Sequence, residues 1–327
     1  MMERRLMLIV TFGVVLLVAP FTAEPQPAAR VPRVGVLSPG HPPPGDPFHQ
    51  RQRFEAGLRD LGWTPGSTIV IDYRYAEGKL ERLPALAEEL VRIPVDVIVA
   101  RGLTIAAARQ ATASIPIVMA ADPDPVRSGF VASLARPGGT ITGLSTQALD
   151  LEAKQLELLH EAVPSLARVA VLTNAKAPYN QQERLEAAAH ALRLELTEFP
   201  ISESEQLPAA FAAMQEAGMG AVLFRGTLWF IDAQQVAALV RTHRLPTIHN
   251  LREFVEAGAL MSYGVDFAVL HRRVATFVDK ILKGANPADL PVEQPMKFEL
   301  LINLKTAQVL GLTISPTLLF QADEVIQ

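Results

Sequence analysis

Short, almost continuously apolar runs alternate with amphipathic stretches along most of the chain. Residues 33–38, 95–100 and 115–121 are apolar runs of strand length, as expected where helices cover both faces of a sheet. The run 68–75 alternates as a strand. Between these strands, 48–61 carries Phe54, Leu58 and Leu61 at helical spacing and closes at Gly62, and 80–91 reads as the next helix. Thr104 is placed to cap a helix over 105–112. The stretch 115–145 is the pivot of the pattern. Its strand stops at Asp122-Pro123-Asp124-Pro125, a short helix is expected over 126–135, and Pro137-Gly138-Gly139 leads into a strand over 140–144. A second series predicts helix 151–162, strand 168–173, a helix opening at Tyr179 and ending at Leu192, strand 195–201, helix 205–217, strand 221–224 and helix 231–242. A strand around Pro246, a short helix over 252–257 and a strand over 259–264 repeat the plan of 115–145. Helix 267–282, strand 297–302, helix 304–310 and an irregular tail complete the chain. Alternating βα units without a glycine-rich dinucleotide turn predict an α/β fold of two doubly wound, Rossmann-like lobes.

With 327 residues and 49% apolar content, each lobe can fill a sizeable core. The net charge of −4 argues against nucleic acid as a partner, because a phosphate backbone needs clustered positive charge. Cysteine is absent, which excludes disulfides, thiolate metal sites, a Cys nucleophile and a lipoprotein anchor. The N-terminus has a short basic region ending at Arg5, an apolar run over 6–19, and a Pro/Ala-rich segment after Ala23. That is the layout of a secretory signal over 1–23, and the run is too short to span a bilayer comfortably. Retention as an anchor is the alternative, since Phe21 at the −3 position before Ala23 is a poor cleavage signal.

Signatures of catalysis are missing: the phosphate-binding loop, the dinucleotide turn and the nucleophile elbow do not occur. The seven His residues are scattered, with no helical i, i+4 pair to hold a metal. His249 stands at a strand end, as a pocket-lining or simply a loop residue. Asp122 and Asp124 could act as an acid–base pair, yet Asp before Pro is also an ordinary turn former.

Four runs carry a family resemblance. They are Ala120-Ala-Asp-Pro-Asp-Pro-Val126, the run from Ser133 to Ser145 with Arg136-Pro137-Gly138-Gly139 at its centre, the run from Arg252 to Asp266, and the run from Val292 to Ala307. Together they resemble the ABC-transporter substrate-binding protein family that includes tryptophan-binding members, over essentially everything after Arg30. The resemblance implies a type I periplasmic-binding-protein architecture, with two lobes joined by a hinge of crossover strands and closing over a ligand. Residues 33–145 plus about 264–288 would form the N-terminal lobe, and 146–263 plus about 291–327 the C-terminal lobe. The implied role is capture of a small amphipathic solute, an amino acid and conceivably an aromatic one, for a membrane permease. No cofactor, metal or catalytic residue is implied. A monomer free in the periplasm is expected, since the lipoprotein cysteine is missing. A sensor ectodomain-like protein, or an enzyme on a doubly wound fold, stays as the alternative.

In such a fold, strand C-termini and helix N-termini of both lobes face one cleft and offer N–H donors to an anion. Ser38, Thr104, Asp122, Asn174, Thr227, Asn250 and Tyr263 stand at strand ends or in the turns just after them. Each is an expected ligand contact, with a cap or turn role as the plainer alternative. Thr104 is expected near a ligand carboxylate and Asp122 near its ammonium.

Overall fold

The computed structural model describes residues 30–42, 50–146, 148–176, 183–226, 228, 231–295 and 297–327. The expected signal over 1–23, the helix start at Tyr179 and the candidate contact Thr227 lie outside the described residues.

Five strands, β1 (Arg33–Ser38), β2 (Val70–Tyr75), β3 (Val97–Arg101), β4 (Ile117–Asp122) and β5 (Ile141–Ser145), form a wholly parallel sheet. Their order is β2-β1-β3-β4-β5. The second sheet contains β6 (Arg168–Asn174), β7 (Glu195–Ile201), β8 (Ala221–Phe224), β9 (Thr247–His249), β10 (Met261–Val265), β11 (Phe298–Asn303) and β12 (Glu324–Ile326). Read from β7, its order is β7-β6-β8-β9-β10-β11-β12. The first five strands thus repeat the winding of the first sheet. In both sheets the order reverses beside the first strand of the series, and ligands gather outside the strand C-termini at such a point.

The helices are α1 (Gln50–Asp60), α2 (Leu83–Arg92), α3 (Leu103–Ala111), α4 (Ala148–Ala162), α5 (Glu183–Leu192), α6 (Leu207–Glu216), α7 (Ala233–His243), α8 (Arg252–Ala257), α9 (Phe267–Leu282), α10 (Leu304–Leu310) and α11 (Pro316–Gln321). They explain why the central strands are apolar throughout. In β3, Ile98 packs with Leu86, Leu90 and Ile105 from α2 and α3 on one face. Val97 and Val99 pack with Phe54, Leu58 and Val274 from α1 and α9 on the other. Each such side chain, fully buried, stabilises the fold by about 1.5–3 kcal/mol relative to exposure. Helix α9, far along the chain from the first sheet, returns to pack on α1, β3, β4 and β5.

Three passages of chain connect the sheets: after β5 into α4, after β10 into α9, and from the segment carrying Glu293 into β11. Glu293 makes an isolated parallel bridge with Leu144 of β5 before the chain reaches the second sheet. Because β11 arrives from the first sheet, it runs antiparallel to β10, in an otherwise parallel sheet.

Two expectations are corrected. Residues 126–135 form turns rather than a helix. The Pro125 carbonyl accepts from the N–H groups of Phe130 and Val131, and Gly129 takes a φ of 70°, so no helical ladder propagates. The apolar spacing there serves packing instead: Val131 is buried against the α2–α3 layer, with Phe130 and Leu134 beside it. The tail is also ordered. Ser315 caps α11 by accepting from the Leu318 N–H at 3.0 Å, and β12 adds a parallel edge strand to β11.

Candidate functional site

The C-terminal ends of strands from both sheets border one cleft. From the first sheet come Pro39 after β1, Arg101 and Gly102 at the end of β3, and Ala121 and Pro123 around the end of β4. Facing them are Glu152 and Gln155 on α4, Phe224 and Gly226 at the end of β8, and His249 and Asn250 at the end of β9. A second cavity lies within the first-sheet half and shares Pro39 and Arg101 with the cleft.

The electrostatic feature of the cleft is Glu152. Its Oε2 accepts from Nε of Arg225 at 2.9 Å, and both side chains are almost wholly buried. Arg225 also stands 3.7 Å from the Glu198 carboxylate through Nη1. Burial pushes the Glu152 carboxyl up to about 7, against the opposing pull of Arg225. A buried ion pair is costly to desolvate and is a poor means of stabilising a fold. A perturbed carboxyl in a cleft is a candidate for ligand contact.

Beside it stands an aromatic wall. The His249 ring stacks on Phe254 at 4.1 Å between centroids with planes 9° apart, and lies 3.7 Å from the Phe224 ring. Burial holds His249 well below the ordinary imidazole range, so it is a neutral ring at physiological pH. Its Nε2 has no hydrogen-bond partner among the described residues.

The expected contacts divide. Asn250 lines the cleft and Ser38 lines the adjoining cavity. Thr104 does neither among the described residues. It sits inside α3, whose N-cap is Gly102, and its fully buried hydroxyl donates toward the carbonyls of Leu37 and Arg101 while accepting from the Arg101 N–H. The predicted cap at Thr104 is therefore corrected to Gly102. Asp122 is buried between its cleft-lining neighbours, where Oδ1 accepts from the Asp124 N–H at 2.9 Å and the Ser128 hydroxyl at 3.2 Å. Burial raises its carboxyl to about 6. Its geometry is that of a turn residue. Asn174 likewise closes a turn through the Lys176 N–H, at 2.9 Å. Tyr263 packs on Phe298, and its carbonyl accepts from Gln155 at 2.7 Å. Sequence reasoning missed Glu152, Arg225, Phe224 and Phe254. The available signal was Arg225, an ionised residue placed directly after a fully buried four-residue strand.

Comparison with known proteins gives a consistent picture. A family model described as "ABC transporter substrate binding protein" matches residues 46–326. A curated relative from Clostridioides difficile, named tyrosine-binding protein, is 29% identical over 267 residues, covering 80% of this chain and 76% of its own. A conserved domain protein from Vibrio cholerae O1 biovar El Tor superposes with a TM-score of 0.81 at 27% identity, over 90% of this chain and 100% of the other. An ABC domain from a pneumococcal Streptococcus, solved in complex with L-Trp, gives a TM-score of 0.79 at 25% identity, over 90% and 99% of the two chains.

Proposed function

The chain belongs to the ABC transporter substrate-binding protein family, and from that membership we propose that it captures an aromatic α-amino acid in the cleft between its two sheets and delivers it to a membrane permease. The observation that carries the reading is the pairing of opposite charges on opposite walls, Arg101 on the first-sheet side and Glu152 on the other. An α-amino acid zwitterion fits that arrangement. Its carboxylate lies toward Arg101 and the start of α3, where the helix dipole favours an anion, and its ammonium lies toward Glu152. The stacked neutral rings of His249 and Phe254 offer apolar surface beside the polar groups, the usual make-up of a small-molecule site. The tyrosine- and L-Trp-binding relatives favour an aromatic side chain.

The family is extracytoplasmic. In this reading, 1–23 is removed on export and the mature protein is a free periplasmic monomer. Residues 33–145 with about 264–288 act as one lobe and 146–263 with about 291–327 as the other. The three passages between the sheets are the hinge. The test is a thermal-shift screen of the exported protein with aromatic and aliphatic amino acids, nucleosides and sugars. A ligand at 100-fold excess over its Kd stabilises by about 2.7 kcal/mol. The expected result is a rise in Tm with tyrosine or tryptophan; a rise with sugars alone overturns the assignment.

A further inference from the structure

The cavity in the first-sheet half has a wall unlike that of the cleft. Val36, Phe54, Val99, Ala120 and Val274 give it an apolar surface. Its rim carries Tyr73 and Tyr75, stacked at 5.9 Å with planes 11° apart, and the Arg51 guanidinium stands 4.6 Å from the centre of the Tyr73 ring. The Tyr73 hydroxyl is already committed, donating to Glu55 at 3.1 Å. Of the polar side chains on its lining, which include Ser38, Gln50 and Arg101, the buried one is His271 on α9.

The protonation of His271 follows from its hydrogen bond. Nδ1 stands 2.6 Å from the Phe267 carbonyl oxygen. A carbonyl can only accept, so Nδ1 carries the proton, and in a neutral ring Nε2 is then a lone-pair acceptor. Burial, with the Arg101 and Arg53 cations nearby, pushes the imidazole down to about 3, which keeps it neutral over the working range. The cavity therefore combines an apolar slot with a buried acceptor that stays an acceptor, set deeper than the half-buried Ser38 and Gln50 on the same lining.

We propose that this cavity receives the ligand's side chain, and that His271 Nε2 accepts a hydrogen bond from a ring donor, the phenol O–H of tyrosine or the indole N–H of tryptophan. This rests on the reading of the cleft as an amino-acid site and extends it to a selection rule. Arg101 borders both spaces, so a carboxylate held there leaves the ammonium in the cleft and directs the side chain into the cavity. Phenylalanine fits the slot but leaves the acceptor without a partner, and a site built for a donor rejects an analogue that lacks one.

Calorimetric titration with L-tyrosine, L-tryptophan and L-phenylalanine tests the rule on the wild-type protein and on His271→Leu. The wild type should bind tyrosine or tryptophan at least about tenfold more tightly than phenylalanine. His271→Leu should bring that ratio close to one, with phenylalanine binding retained. A second readout needs no variant: the ¹⁵N resonance of His271 Nε2 should shift on adding tyrosine and stay in place on adding phenylalanine. Wild-type affinity for phenylalanine equal to that for the tighter-bound of tyrosine and tryptophan, or a ratio unchanged in His271→Leu, overturns the cavity proposal and leaves the cleft reading standing. Failure of the wild type to bind any amino acid overturns both.

Discussion

Glu152 gives the site its sharpest pH signature. An ammonium is held by the carboxylate form, and a carboxyl at about 7 in the empty cleft is only about one-tenth ionised at pH 6. Ligand affinity should therefore fall about tenfold between pH 8 and pH 6, and calorimetry at the two pH values measures it. The sign for folding is opposite. A carboxyl raised above its unfolded value of 4.5 destabilises most above about pH 7, and that cost is relieved as pH falls toward 4.5. In Glu152→Gln, affinity should be weaker and both pH trends attributable to this group should vanish. Asp122 makes a contrasting prediction. Removing its bonds to Asp124 and Ser128 in Asp122→Ala should cost about 1–3 kcal/mol of stability by denaturant titration, with ligand affinity unchanged within about twofold. The strand ends were legible in the sequence because apolar runs stop at them, and that placed Ser38 and Asn250 on the linings of the two spaces. Which way a side chain faces was not, since neighbours on a strand point to opposite sides. Tyr263 thus packs on Phe298, and the buried Thr104 hydroxyl is spent on its own backbone. Glu152 escaped because a carboxylate near the start of an amphipathic helix reads as surface until Arg225 is brought to it from 73 residues away.

The apolar runs of β3, β6 and β8 and the apolar stripe of the amphipathic α9 were legible because burial on a sheet or along one helical face leaves a direct pattern. The turns over 126–135 misled because three apolar residues plug the α2–α3 layer at spacing that mimics a helix. The small edge strand β12 was hidden by its half-exposed, three-residue length. Two glycines sit in strands that lead from one sheet to the other. Gly143 in β5, with φ at 132°, would put a Cβ 2.3 Å from the Met119 carbonyl oxygen. Gly264 in β10 would put one 2.1 Å from the Asn250 carbonyl oxygen, directly behind a cleft residue. Both strands lead into passages between the sheets. Gly264→Ala should therefore destabilise by about 1–3 kcal/mol through overpacking, seen as a lowered midpoint in chemical denaturation. It should also weaken ligand binding, because Asn250 must give way.

At the scale of the molecule, both sheets share one winding order over their first five strands and offer strand C-termini to the same cleft. Arg53 on α1 and Glu253 on α8 meet across the two halves at 3.4 Å, with both side chains partly buried. Arg53→Ala should weaken ligand affinity by a few fold, in line with about 0.2–1 kcal/mol for a partly exposed pair. The change should appear mainly as faster dissociation in stopped-flow measurements. The central claim is that the cleft holds a zwitterionic aromatic amino acid between Arg101 and Glu152. Calorimetry of the exported protein with L-tyrosine or L-tryptophan, beside the N-acetylated form of each, tests it most directly. Micromolar or tighter binding of the free amino acid is predicted, about −8 kcal/mol or better. Acetylation should reduce affinity by at least about a hundredfold, because it replaces the ammonium facing Glu152 with a bulkier, neutral amide. Equal affinity for the acetylated form, or no binding of either alongside saturable binding of a sugar, would contradict the account.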